Sequence, residues 1–158
     1  MPKLYLSLGS NEGDREQLLR SAIDAIGQLI GPVDGISPLV ETEPWGFESP
    51  HPFVNAALSV ETSLPAMDVL ERTQSIERQL GRQRKSIAGR YEDRPIDIDL
   101  LLYGDLVLTS ERLTLPHPLL SERLFVLEPL AEIAPHILHP TLGKTIQTLR
   151  DELRLRLG

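Results

Sequence analysis

The chain opens on Lys3-Leu4-Tyr5-Leu6-Ser7-Leu8, where apolar and polar positions alternate, and then meets Gly9-Ser10-Asn11. A period of two ended by turn residues predicts a strand. From Asp14 the apolar positions become Leu18, Leu19, Ala22, Ile23, Ile26, Leu29 and Ile30, the spacing of one helical face. Asp14 reads as its N-cap and Gly31-Pro32 as its stop. Val33 to Thr42 predicts a second strand and Phe53 to Thr62 a third, with a loop rich in Pro and aromatic residues between them. Pro65 opens a second helix, with Met67, Leu70, Thr73, Ile76 and Leu80 on one face and Gly81 at its end. A fourth strand covers Ile96–Tyr103, and Gly104-Asp105 predicts a tight turn joining it to Leu106-Val107-Leu108 as a short hairpin. Prolines then break up the chain; Glu122 to Glu132 fits a short helix or strand, and Gln147 to Leu157 a terminal helix. The order predicts an α+β fold in one domain over residues 1–158: a ferredoxin-like βαββαβ sandwich, helices on one face of an antiparallel sheet, with an added C-terminal hairpin and helix.

One strand breaks the alternation in an informative way. In Arg94-Pro95-Ile96-Asp97-Ile98-Asp99-Leu100-Leu101-Leu102, two carboxylates interrupt an apolar run. Asp97 and Asp99 project from the same side, roughly 7 Å apart along the chain, while Ile96, Ile98, Leu100 and Leu102 point to the other. Two close, partly covered carboxylates repel each other unless a cation or proton relieves them. Mg²⁺ suits such a pair, since it takes one or two carboxylates and completes its shell with water and phosphate oxygens. Just upstream lie Arg82, Arg84, Lys85, Arg90 and Arg94. Guanidinium forks match phosphate oxygens in pairs, and their place in a loop suggests a lid.

Composition narrows the field. Of 158 residues, 41% are hydrophobic and 25% charged, ordinary for a globular chain. Cysteine is absent, which fits a reducing cytoplasm and removes thiolate metal sites. No N-terminal stretch is apolar enough for a signal peptide or membrane span, so no membrane partner is expected. The net charge of −7 opposes nucleic-acid binding, although five of the 16 Lys and Arg residues fall between positions 82 and 94. Neither a P-loop nor a dinucleotide fingerprint is present. Gly9-Ser10-Asn11-Glu12-Gly13-Asp14 links strand to helix, but Glu12 and Asp14 oppose an anion there, so it reads as a structural turn. Gln74 and Glu77 lie a helical turn apart on the side leading to the basic loop. Asn55 is an amide in an apolar strand that needs partners, and Trp45 and Phe53 can stack on a planar heterocycle. His136-x-x-His139 lacks a third metal ligand, and His117 reads as a turn residue.

Together these segments resemble the 6-hydroxymethyl-7,8-dihydropterin pyrophosphokinase family of folate biosynthesis over essentially the whole chain. The matching stretches include Gly9-Ser10-Asn11, Thr42 with Pro44, Phe53-Val54-Asn55-Ala56-Ala57, and Gln74-Ser75-Ile76-Glu77. They continue through Gly81-Arg82-Gln83-Arg84-Lys85, Arg94 to Leu101, Leu115-Pro116-His117-Pro118 and Arg123 to Leu130. The resemblance implies transfer of the pyrophosphoryl group of ATP to the pterin hydroxymethyl, with release of AMP. It implies Asp97 and Asp99 as ligands of two Mg²⁺ ions, with Arg82, Arg84 and Arg94 assisting the transfer. Gln74, Glu77, Arg82, Arg84, Arg94, Leu100, Arg112, Thr114 and His117 align with ATP-contacting positions. Thr42, Pro44, Trp45, Phe53, Asn55 and Phe125 align with the pterin pocket, Trp45 mainly through its backbone. A cytoplasmic monomer is the expectation. The chain departs from the family pattern at Tyr91-Glu92-Asp93, Pro95, Phe53 and Pro118.

Two other readings stay in view. A ferredoxin-like RNA-binding module would use the basic loop, but it calls for aromatic residues on the central strands, and only 4% of the chain is aromatic. A Mg²⁺-dependent nucleotide hydrolase would share the aspartate pair and need a residue that activates water.

Overall fold

The structure is a computed structural model that describes residues 2–11, 14–42, 53–81 and 96–158. Strand β1 (Lys3–Ser10) leads into helix α1 (Arg15–Leu29), and Asp14 caps it by accepting from the Gln17 amide at 3.1 Å. Strands β2 (Val33–Ile36), β3 (Val40–Thr42) and β4 (Phe53–Glu61) follow, then helix α2 (Ala66–Gly81) and strand β5 (Asp97–Tyr103). The remainder comprises β6 (Leu108–Thr109), β7 (Thr114–Leu115), a 3₁₀ turn at Leu120–Glu122, helix α3 (Leu124–Ile133) and helix α4 (Ile146–Leu157). The main sheet runs β2-β4-β1-β5 with β3 also on β4, and every pairing is antiparallel.

The βαββαβ core is as expected, and four details differ. The stretch from Val33 to Thr42 is two strands rather than one, because Pro38 has no amide for the ladder. Ser37 bridges the break: its backbone amide donates to the Ala57 carbonyl at 2.9 Å, and its hydroxyl accepts from the Ala57 amide at 2.8 Å. Second, the hairpin forms between β6 and β7, not between β5 and Leu106–Leu108. Third, the pairing of β1 with β5 carries a bulge: Tyr5 faces Leu102 while Leu6 faces Leu100, so Leu101 is the extra residue. The bulge turns Leu102 to the same side as Leu101, against the simple alternation expected for it, and sends Tyr103 to the opposite core.

The fourth difference is the layering. Helices α1 and α2 cover one sheet face through Leu19, Ala22, Ile26, Val69, Leu70 and Ile76. The second face is not left open, because α3 and α4 pack on part of it around Leu101, Leu102, Leu127, Leu130 and Leu149. The segment that fitted either helix or strand is thus the helix α3, and it accommodates Pro129 in its interior. With Val126, Leu127, Leu130 and Ala131 all buried, this short segment gains more from burying its own face than from adding a strand, which follows the general dominance of packing over propensity.

Two glycines on α1 and its exit separate close packing from open space. A Cβ on Gly31 would lie 1.9 Å from the Glu61 carbonyl oxygen, whereas one on Gly27 would meet nothing within 4 Å. Gly31→Ala should therefore destabilise the fold by about 1–3 kcal/mol through forced backbone movement. Gly27→Ala should stabilise it by about 0.5–1 kcal/mol through helix propensity. Thermal denaturation of the two variants beside the parent checks the opposite signs.

Candidate active site

Strand register builds the site. Gly9 of β1 lies opposite Asn55 of β4 on one side and Asp97 of β5 on the other. Directly paired residues share a sheet face, so Asn55, Gly9 and Asp97 form one row across three strands, and Ala57, Ser7 and Asp99 form the next. Val40 pairs with Asn55 and Thr42 with Phe53, which extends the first row toward β3. The rows lie on the face partly covered by α3 and α4, at the end those helices leave accessible. Asn55 is only 4% exposed, and Asp97 and Asp99 are half-buried. The first turn of α3 brings Phe125 to this face, with the Arg123 guanidinium 5.6 Å from its ring centroid.

The outer edge of β5 forms the second half of the site. The Ile98 amide donates to a Glu77 carboxylate oxygen at 2.7 Å, and the His117 amide donates to the Leu101 carbonyl at 2.9 Å. A cleft of about 240 Å³ opens beside this edge, lined by Asp99, Leu100, Arg112, Leu113, Thr114 and His117 among others. Arg112 donates to the Gln74 side-chain carbonyl at 3.3 Å and stands 3.9 Å from Glu71. Leu70, Ile98 and Leu113 give the cleft apolar walls. An apolar slot edged by arginine, threonine and a backbone rim suits a planar base with an anionic tail.

His117 has a defined chemical state. Its Nδ1 accepts from the Leu119 amide at 3.1 Å, so in the neutral ring the proton sits on Nε2. Burial and the neighbouring Arg123 guanidinium hold it below the ordinary histidine range, with Asp97 pulling it partly back. A ring in that state presents an N–H donor to the cleft and has no free basic nitrogen. His139 is different in kind: buried, it accepts from the Thr141 and Leu142 amides at 3.3 and 3.1 Å through Nδ1 and so organises its own loop. His136-x-x-His139 is therefore not a metal pair.

Among the described residues no cluster of three or more His, Asp, Glu or Cys is present. Two half-buried carboxylates on one face of a strand, Asp99 lining the cleft, are a donor set that fits a hard cation retaining water and phosphate ligands. It does not fit a closed tetrahedral site.

Gln74, Glu77, Leu100, Arg112, Thr114 and His117 thus converge with Asp99 along the edge of β5, while Asn55 and Asp97 share the inner row. Thr42 and Phe53 are located through their backbone pairing alone. Pro44, Trp45, Arg82, Arg84 and Arg94 lie outside the described residues. Sequence reasoning assigned no role to Arg123, which joins His117 to Phe125; its position at the head of Arg123-Leu124-Phe125 was the available signal. Gly9 and Ser7 were likewise unassigned, and only the register shows that they separate the two halves of the site.

Comparison with known proteins gives the same direction. Residues 5–135 match the family described as 7,8-dihydro-6-hydroxymethylpterin-pyrophosphokinase (HPPK). A Porphyromonas gingivalis protein named 2-amino-4-hydroxy-6-hydroxymethyldihydropteridine pyrophosphokinase is 50% identical over 141 residues, covering 89% of this chain and 95% of its own length. An Aquifex aeolicus protein of the same name is 36% identical over 156 residues, covering 99% and 95%. In fold, the chain matches a crystal structure of wild-type Plasmodium falciparum HPPK-DHPS with a TM-score of 0.79 at 16% identity. That match covers 99% of this chain and 45% of the longer one.

Both shifted histidines carry a pH consequence. Each holds its proton less tightly when folded than at the ordinary value of 6.5, so each contributes stability above that pH. The contribution is lost as pH falls from 6.5 toward the folded value, since the unfolded chain then takes up protons first. Thermal stability should decline between pH 7 and 5. A variant carrying His117→Asn and His139→Asn, in which an amide oxygen replaces each Nδ1 acceptor, should show a flatter profile; an unchanged slope would remove both rings from the linkage.

Proposed function

The chain belongs to the 7,8-dihydro-6-hydroxymethylpterin-pyrophosphokinase family, and from this we infer that it transfers the pyrophosphoryl group of ATP to the hydroxymethyl group of 6-hydroxymethyl-7,8-dihydropterin, releasing AMP, in folate biosynthesis. One observation carries the assignment of that activity to this site: the register that puts Asn55 and Asp97 in one row, with Gly9 between them. The pterin lies on the Asn55 side, where the buried amide reads its polar edge and Phe125, with Thr42, Pro44, Trp45 and Phe53, encloses the ring. The nucleotide lies along the edge of β5, with its base between Leu70 and Leu113 and against the Leu100 backbone. Gln74 holds Arg112 in place, and Arg112, Thr114 and the Nε2–H of His117 meet the sugar and phosphates.

Asp97 and Asp99 hold Mg²⁺, two ions in this reading. Bound there, the metal supplies charge neutralisation and orientation for polyphosphate. The remaining work falls to the chain. The rows bring the pterin hydroxyl oxygen toward the β-phosphorus; the new O–Pβ bond forms as the bond from Pβ to the AMP oxygen breaks, and the hydroxyl proton passes to solvent. Arg82, Arg84 and Arg94 stabilise the charge that shifts onto the bridging and equatorial oxygens. His117 acts as a hydrogen-bond donor to phosphate rather than as a base, because its other nitrogen is already engaged. Positioning then accounts for most of the rate.

The chain acts in this reading as one domain spanning residues 1–158, as a cytoplasmic monomer. The net charge of −7 supports independence from nucleic acid, and no described helix is long and apolar enough to cross a membrane.

The test is direct: purified protein with ATP, Mg²⁺ and the reduced hydroxymethyl-pterin should yield AMP and the pterin diphosphate in equal amounts. ADP or free phosphate formed without pterin would favour the hydrolase reading instead. Asp97→Ala and Asp99→Ala should each lower turnover by on the order of 10³-fold or more while the circular dichroism spectrum stays that of the parent. Substantial Mg²⁺-dependent turnover in either variant would misplace the metal.

A further inference from the structure

Glu77 aligns with a nucleotide-contacting position, yet it also reaches the backbone of the carboxylate strand. One carboxylate oxygen accepts the Ile98 amide at 2.7 Å. Ile98 is the residue between Asp97 and Asp99, and its neighbours in the ladder explain why the contact exists. Backbone N–H and C=O groups of successive residues in an antiparallel strand point to opposite sides. The partners of Asp97 and Asp99 on β1 are Gly9 and Ser7, and β5 is the last strand of the sheet. The Ile98 amide therefore faces outward, where the described strands supply no acceptor. Helix α2 supplies one through Glu77, three residues after Gln74 on the same turn-to-turn line that reaches Arg112.

We propose that Glu77 is a positioning residue for the carboxylate strand: by holding the Ile98 amide it fixes the backbone from which Asp97 and Asp99 project, and so tunes the affinity and orientation of the divalent cation between them. The inference rests on the reading of Asp97 and Asp99 as the metal ligands. An edge strand can twist and fray along its outer side. A charge-assisted bond at the intervening residue removes that freedom with a single contact. On the far side of the pair, the His117 amide does the same at the Leu101 carbonyl at 2.9 Å, so the free edge is anchored beyond each end of Asp99. Such supporting contacts carry about 10–100-fold in metal affinity or activity where they have been removed elsewhere.

Three variants and two readouts other than turnover test this. Amide hydrogen exchange at Ile98, followed by NMR in protein free of metal and nucleotide, reports the brace itself. Mn²⁺ affinity in the presence of a saturating non-hydrolysable ATP analogue reports the cation site. Glu77→Ala should speed Ile98 exchange at least about tenfold and weaken Mn²⁺ by about 10–100-fold, with kcat lowered and the KM for the pterin unchanged. Glu77→Gln keeps an acceptor oxygen and should restore most of both. If Glu77→Ala leaves Ile98 exchange and Mn²⁺ affinity at parent values and raises only the KM for ATP, Glu77 is a nucleotide contact and the proposal fails. Asp97→Asn separates the two levels: should it retain parent Mn²⁺ affinity, the metal reading falls, whatever Ile98 exchange shows.

Discussion

The pleat of β5 is the constraint on which the rest depends. One seven-residue strand must both complete the core under α1 and α2 and present two carboxylates to ligand. Alternation makes this possible: Ile96, Ile98 and Leu100 bury on one side while Asp97 and Asp99 face the other. A register slip by one residue would put both carboxylates into the apolar core, at a cost of several kcal/mol each, so the apolar residues enforce the polar geometry. The bulge at Leu101 then ends the polar row. It turns Leu101 and Leu102 together toward α3 and α4, and the open half of the face becomes a closed one within a single residue.

Much of this was legible because it rests on local patterns. Helix α1 declared itself through Leu19, Ala22 and Ile26 and through its Asp14 cap, and the aspartates declared their shared face through spacing alone. What escaped was set by long-range partners. The bulge at Leu101 depends on β1, and no local residue announces it. The division of Val33–Thr42 followed from Pro38, a signal present in the sequence whose effect depended on where β4 lay. The same holds for the site. Glu77, Gln74 and Arg112 are polar residues on a helix and a loop, and nothing in their spacing shows which of them would meet β5 and which would meet each other. Family resemblance named these positions; the geometry supplies their separate contacts.

The second helical layer has a functional side as well. Without α3 and α4, the face that carries Tyr5, Ala57, Leu101 and Leu102 would expose a continuous apolar patch. Those helices cover that half and stop short of the rows containing Asn55, Gly9 and Asp97, and the first turn of α3 contributes Phe125 at the boundary. One helix start thereby serves two ends: its apolar face seals the core and its leading residues wall the site. The bidentate pair of Arg154 with Glu128, at 2.7 and 2.6 Å, ties α4 to α3 at the surface and adds little beyond alignment, since both side chains are substantially exposed.

A transfer governed by positioning needs its two substrates at a fixed separation, and adjacent strands are well suited to set one. Neighbouring strands lie roughly 4.8 Å apart, so two strand spacings separate Asn55 from Asp97 by about 10 Å. That span is fixed by backbone hydrogen bonds through β1 and does not depend on side-chain rotamers. Gly9 stands in the middle of it with no side chain, and Ser7 stands in the next row with a small one, so little fills the gap. In the proposed reading the acceptor side and the phosphate side stand on this one floor of paired backbone. The carboxylates at one end of that floor disfavour an incoming polyphosphate until a cation neutralises them. In the proposed reading cation loading and nucleotide binding share one free-energy term, and each strengthens the other by the same factor.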